Sequence, residues 1–200
     1  MLDLPTDIAA DLAPLSWLIG VWEGTGVLDY TAGDTRFSGE FTHRVSFSHD
    51  GGDHLNYSAD AWTIGADGGR VPLVAEVGFW RLERPAIATD AGPALLPPRA
   101  PGPARTADDV EKLRNAEGGF DIQAQIVHSD GVGELYLGQI KGPRIDLATD
   151  AVVRTAGARD YAAATRMYGL VEGDLLWAWD IAALAHDLRS HASARLKRAE

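Results

Sequence analysis

Cysteine is absent from the 200 residues. Disulfides, thiolate catalysis and Cys-ligated zinc or iron–sulfur centres are thereby excluded. Positive charge is scarce: 18 Lys and Arg stand against 29 Asp and Glu, a formal net charge of -11. Nucleic acid and anionic membranes both require a basic face, so neither is an expected partner. No apolar run approaches the length of a membrane span. Residues Met1 to Asp7 lack the basic start of a secretory signal, and a cytoplasmic protein is the expectation. There is no Gly-x-Ser-x-Gly elbow, no Gly-rich phosphate loop ahead of a helix, and no His pair at zinc spacing.

What is present is a succession of strand-like segments separated by turn chemistry. Asp7 to Leu18 comes first and reads as a short helix, with Leu12, Leu15 and Leu18 at helical spacing. Strands are predicted at Gly20–Tyr30, Thr35–Ser48, His54–Ile64 and Val71–Leu82. The first hairpin signal is Asp50-Gly51-Gly52-Asp53 and the second Asp67-Gly68-Gly69. From about Arg84 to Gly118 the chain is rich in Pro and Ala, which suits neither ladders nor helix interiors. This stretch reads as a long insert carrying one short helix, Thr106–Arg114, with Thr106 as N-cap. Strands resume at Phe120–His128, Gly133–Lys141, Arg144–Arg154, Tyr161–Leu170, Leu175–Ala183 and Leu188–Lys197. Ten hairpin-linked strands of about ten residues make an antiparallel up-and-down sheet, and closure removes its edges. The expected fold is therefore all-β: a single ten-stranded, calycin-like β-barrel over residues 1–200, wide enough for a ligand cavity.

The segment Gly20-Val21-Trp22-Glu23-Gly24-Thr25-Gly26 places Trp22, Gly24 and Gly26 on one strand face. A large ring followed by two missing side chains suits a closely packed first strand. Six His residues are present. His49 and His128 lie in turns, where a ring nitrogen can bond local backbone; His43 and His54 lie in strands of unassigned face. Strict alternation groups His191 with Arg189, Ser193, Arg195 and Lys197 on the polar face of the last strand. Glu23, Glu76 and Glu134 are strand carboxylates with no convergence visible in the sequence. Arg166 and Tyr168 share a face and, if turned inward, could anchor a carboxylate.

Taken together, several segments resemble one known family. Gly20-Val21-Trp22-Glu23-Gly24-Thr25-Gly26, after the lead-in Pro14-Leu15-Ser16-Trp17-Leu18-Ile19, is similar to the Gly-x-Trp-x-Gly-x-Gly motif of nitrobindins. Further matching segments are Ser48 to Tyr57 with Trp62, Glu76 to Arg81, His128-Ser129-Asp130-Gly131 with Glu134, and His191 to Leu196. The likeness is to the actinobacterial branch of these fatty-acid-binding-protein-like barrels. It implies one heme b per chain, with His191 as axial iron ligand and Thr35 near the heme. The surroundings Gly33-Asp34-Thr35 depart from the family's usual Tyr-Pro-Thr. The implied activity is isomerisation of peroxynitrite to nitrate, with nitric oxide binding as a second property and a homodimer as an expected assembly. The alternative expectation is a carrier of a fatty acid or other apolar ligand without heme, anchored by Arg166 and Tyr168. The resemblance further implies that Trp22 packs against Arg195 or Arg198.

Overall fold

The computed structural model describes residues 8–32, 34–100, 105–183 and 186–199. Each predicted strand is found, with bounds shifted by two residues at most. The strands are β1 (Gly20–Ala32), β2 (Thr35–Ser48), β3 (His54–Ile64), β4 (Arg70–Leu82) and β5 (Phe120–His128). They continue with β6 (Val132–Lys141), β7 (Arg144–Arg154), β8 (Tyr161–Val171), β9 (Asp174–Ala183) and β10 (Arg189–Arg198). Each pairs with its sequence neighbours, and β10 returns to pair antiparallel with β1, so the sheet closes into a barrel. Alternation drives the closure. In β2, Phe41, His43, Val45 and Phe47 are buried, while the residues between them face outward. No helix among the described residues is long and apolar enough to cross a membrane.

One end of the barrel is plugged. Ala10–Leu18 forms a 3₁₀ helix rather than an α-helix, and Asp7 lies outside the described residues. The three-residue spacing of Leu12, Leu15 and Leu18 suits this tighter winding, which stacks i and i+3 side chains. All three are fully buried, beside Trp22, Phe47, Leu55 and Trp80. Trp22 Nε1 donates to the Leu18 carbonyl at 2.7 Å. Arg198 lies 4.4 Å over the Trp22 ring and also donates to the Ile19 carbonyl. Arg198 is thus the partner expected for Trp22, whereas Arg195 points outward to Asp174. Gly24 and Gly26 provide close packing. A Cβ on Gly24 would strike the Arg195 carbonyl of β10, and one on Gly26 would strike the Phe41 ring and the Ser193 carbonyl.

The Pro-rich insert is held down in its described parts. The Arg84 guanidinium pairs with Asp11 of the 3₁₀ helix at 2.8 Å, Asp53 at 2.5 Å and Asp90 at 2.7 Å. Arg105 reaches the same Asp11 at 3.2 Å. The short helix α1 (Ala107–Glu111) begins at Thr106, whose hydroxyl accepts from the Asp109 N–H. The Asp109 carboxylate in turn caps the Thr106 N–H, completing a capping box.

Candidate functional site: an aromatic cavity above a buried ion network

At the end away from the plug the barrel opens into a cavity of about 540 Å³. Its wall is largely aromatic and apolar, with Tyr30, Phe37, Phe41, Trp177, Trp179 and Ile181 among the lining residues. His191 belongs to this wall. Strict alternation would turn it outward, and the structure departs from strict alternation at this residue. Ser190 pairs with Asp180 and Ala192 with Trp179, so His191 is the extra residue of a β-bulge. A bulge re-aims a side chain. Both His191 and the next residue, Ala192, therefore reach the cavity.

The His191 ring packs against Tyr30 at 4.4 Å and edge-on to Trp179 at 5.4 Å between centroids. Its Nδ1 is buried and has no hydrogen-bond partner among the described residues. Burial, helped by the positive charge of Arg189, holds its pKa down at about 4. The ring is therefore neutral at physiological pH and keeps a lone pair, the form in which imidazole ligates metals. Thr35 sits elsewhere. It is exposed at the start of β2, opposite Ala32, and is not among the cavity-lining residues.

Below the mouth lies a cluster of buried charges that linear sequence did not bring together. Arg166 on β8 faces inward and is bidentate to Glu76 on β4, at 2.9 and 2.8 Å. It also reaches Glu134 on β6 at 3.3 Å and the Tyr136 hydroxyl at 2.9 Å. Tyr57 donates to Glu76 at 2.6 Å; Tyr136 and Tyr161 donate to Glu134 at 2.7 and 2.5 Å. His128 is not bonded to local backbone as its turn context suggested. It is buried, with Nε2 2.7 Å from Glu134 and Nδ1 3.6 Å from Glu76. His49 does make the local bond, accepting from the Gly51 N–H at 3.3 Å.

Burial pushes the Glu76 carboxyl upward, but the Arg166 charge and hydrogen bonds outweigh it and hold the pKa at about 2. Glu134 is likewise lowered: burial opposes ionisation, and the His128 hydrogen bond and Arg166 overcome it. Ionised carboxylates only accept, so His128 Nε2 carries a hydrogen toward Glu134. Neither carboxylate is held protonated as a general acid would be, which speaks against glycosidase-type chemistry. Arg166 and Tyr168 do share an inward face, and both are buried. The guanidinium, however, is committed to two carboxylates and a phenol, which leaves little of it for a fatty-acid carboxylate. Glu23 is on the outer face, paired with Arg44.

Two cavity histidines give the unloaded protein a pH signature. Burial lowers His43 to about 4, with Glu76 opposing and Arg166 reinforcing; His191 is also at about 4. An unfolded chain binds these protons near pH 6.5, and the folded one near 4. Between those values the unfolded state holds more protons, so stability rises with pH there. The thermal stability of the unloaded protein should thus fall from pH 6.5 down to 4, by at most about 7 kcal/mol for the pair. Glu76 is not involved in this window, because its contribution is lost only as pH falls from about 4.5 to about 2. A flat stability profile between pH 6.5 and 4 would show that these rings titrate normally.

A family model described as a THAP4-like, heme-binding beta-barrel domain matches residues 11–198. A protein of Leifsonia xyli subsp. xyli named peroxynitrite isomerase is 62% identical over 200 residues, all of both chains. One of Clavibacter michiganensis subsp. michiganensis with the same name is 60% identical, again over the full length of both. Among solved structures, Rv2717c from M. tuberculosis superposes with a TM-score of 0.68. It is 24% identical and covers 96% of this chain and 99% of its own, which supports the fold alone. The match agrees with the nitrobindin resemblance in fold and cofactor class: the chain belongs to the THAP4-like, heme-binding β-barrel family.

Proposed function

We propose that the cavity holds one heme b, with His191 as axial ligand, and that the protein isomerises peroxynitrite to nitrate, the activity for which its relatives are named. The observation that carries this reading is His191 itself. It is a neutral imidazole turned into an aromatic cavity by a bulge, with a buried nitrogen left unpartnered. That site fits a heme: a neutral imidazole and flat ring surfaces from Tyr30, Phe41, Trp177 and Trp179, beside charged Asp130, Arg159 and Asp160. When bound, ferric heme supplies a Lewis-acidic centre toward an oxygen of the substrate.

The chain's own residues account for the rest. His191 offers its lone pair without first losing a proton, because its pKa lies at about 4. Tyr30 and Trp179 pack on its ring and fix its plane. Tyr30, Phe37 and Phe41 help exclude water from the reacting volume. Isomerisation to nitrate changes neither the atoms nor the net charge of the substrate, so it requires no general acid or base. That agrees with interior carboxylates bound up by Arg166 and tyrosine hydroxyls. Nitric oxide, a small neutral molecule, suits the same cavity.

Hemin titration is the test. Wild-type protein should develop a sharp Soret band at one hemin per chain. His191→Ala should bind hemin about a hundredfold more weakly, with an altered band, as removal of a ligand implies. Identical spectra and affinities in the two proteins would exclude His191 as the ligand.

A further inference from the structure

His43 lines the same cavity beside the ion network, but no hydrogen bond joins it to that network among the described residues. Its one hydrogen-bond partner among the described residues is Trp177, whose Nε1 lies 2.9 Å from His43 Nδ1. An indole N–H can only donate. Nδ1 must therefore carry the lone pair, and in a neutral ring the hydrogen sits on Nε2. Burial holds the ring neutral, with a pKa of about 4. Nε2 makes no hydrogen bond among the described residues and is not among their sealed-off polar atoms, so it opens on the cavity.

The register gives its depth. His43 pairs with Gly24 of β1, while Leu28, four residues further along the same strand, pairs with Ala192 beside His191. Four strand residues span about 13 Å. His43 thus lies well below His191 on the inner wall, near Trp177, Phe41 and Glu76.

We infer that His43 is a fixed hydrogen-bond donor, its tautomer set by Trp177, and that the inner wall is a recognition subsite for an acceptor oxygen on the cavity's occupant. The inference rests on the proposed function only for what that occupant is. Two sources can present such an oxygen: a small oxygen-bearing or anionic ligand of the iron, and a carboxylate of the heme itself. The donors of the neighbouring ion network do not compete for it. Arg166 is spent on Glu76 and Glu134, and the Tyr57, Tyr136 and Tyr161 hydroxyls donate to those same carboxylates.

The test has two measurements. In the unloaded protein, nitrogen-15 side-chain correlation spectra should show His43 as the Nε2–H tautomer from pH 6 to 8. In Trp177→Phe, where Nδ1 loses its donor, the two tautomers should mix. An Nδ1–H tautomer or an imidazolium in wild type overturns the proposal. Loaded with hemin, wild type and His43→Leu are then compared by fluoride titration and by the rate of hemin transfer to apomyoglobin. If the subsite serves a small ligand, fluoride affinity falls about tenfold and hemin transfer is unchanged. If it holds a heme carboxylate, transfer accelerates about tenfold, and hemin dimethyl ester abolishes the difference. Both quantities staying within twofold overturns the proposal. Trp177→Phe keeps the ring at position 43 and should show a smaller change in the same quantity, which decides the matter if His43→Leu does not fold. Failure of wild type to take up hemin would sink the heme reading; the tautomer would then decide the donor on its own.

Discussion

Arg166→Met is expected to destabilise the folded barrel by about 3–5 kcal/mol, read as a fall in the urea midpoint at unchanged slope. The guanidinium is buried and holds two ionised carboxylates, Glu76 and Glu134, from different strands. Methionine fills much of the volume but leaves both negative charges buried without a counter-charge. Both carboxylates would then protonate at higher pH, because burial pushes them upward; Arg166 is the main counterweight for Glu76, and for Glu134 it acts after the His128 hydrogen bond. The variant should therefore be relatively more stable in acid, opposite to the wild type. The triple variant Arg166→Met, Glu76→Gln, Glu134→Gln should recover a large part of the loss, since uncharged groups of similar size replace the ions. A single variant within 1 kcal/mol of wild type would mean that the interior charges are screened by water.

Gly24→Ala should cost about 3 kcal/mol, although it adds one methyl group. The new carbon would meet the Arg195 carbonyl and the Leu196 Cα, both backbone atoms of β10. Neither can yield without parting β1 from β10. The Gly24 backbone is not in the left-handed region, so the cost is steric and sits at the barrel seam. Gly39→Ala on β2 is the control. Nothing lies within 4 Å of its added carbon, and thermal melts should place it within about 0.5 kcal/mol of wild type. Equal loss in both variants would place the effect in strand propensity rather than in the seam.

The fold was legible because its signals are local. Alternation and Gly-Asp turns place each of the ten strands within two residues, and Thr106 marks its helix start by capping alone. Where the reading and the structure part, one extra residue or one distant partner is responsible. Pro14 and a three-residue leucine spacing make a 3₁₀ helix of what reads as ordinary helix. The bulge at His191 shifts the phase of β10, and no composition rule announces a bulge. Family resemblance pointed to His191 while the face pattern opposed it, and the bulge reconciles them. The ion network was out of reach for a different reason. Glu76, His128, Glu134 and Arg166 come from four strands, and only barrel closure decides that they meet. His128 in particular sits at a strand end beside a turn, so its buried role depends on Glu134 beyond that turn. Arg84 in the Pro-rich insert gave no sign that three carboxylates would surround it.

The pairing of β1 with β10 has a bearing on biosynthesis. The two strands are joined residue for residue from Trp22–Arg198 to Leu28–Ala192, so the most distant parts of the chain form one ladder. Such long-range closure is slow, because the loop entropy of nearly the whole chain must be overcome before the ladder repays it. On the ribosome β10 is the last of the ten strands to emerge, and it carries His191. A nascent chain lacking it has an open β1 edge and a cavity without the His191 ring. The step that seals the sheet is thus the same step that completes the cavity wall, so under the proposed function a half-made chain lacks the imidazole that would hold the iron.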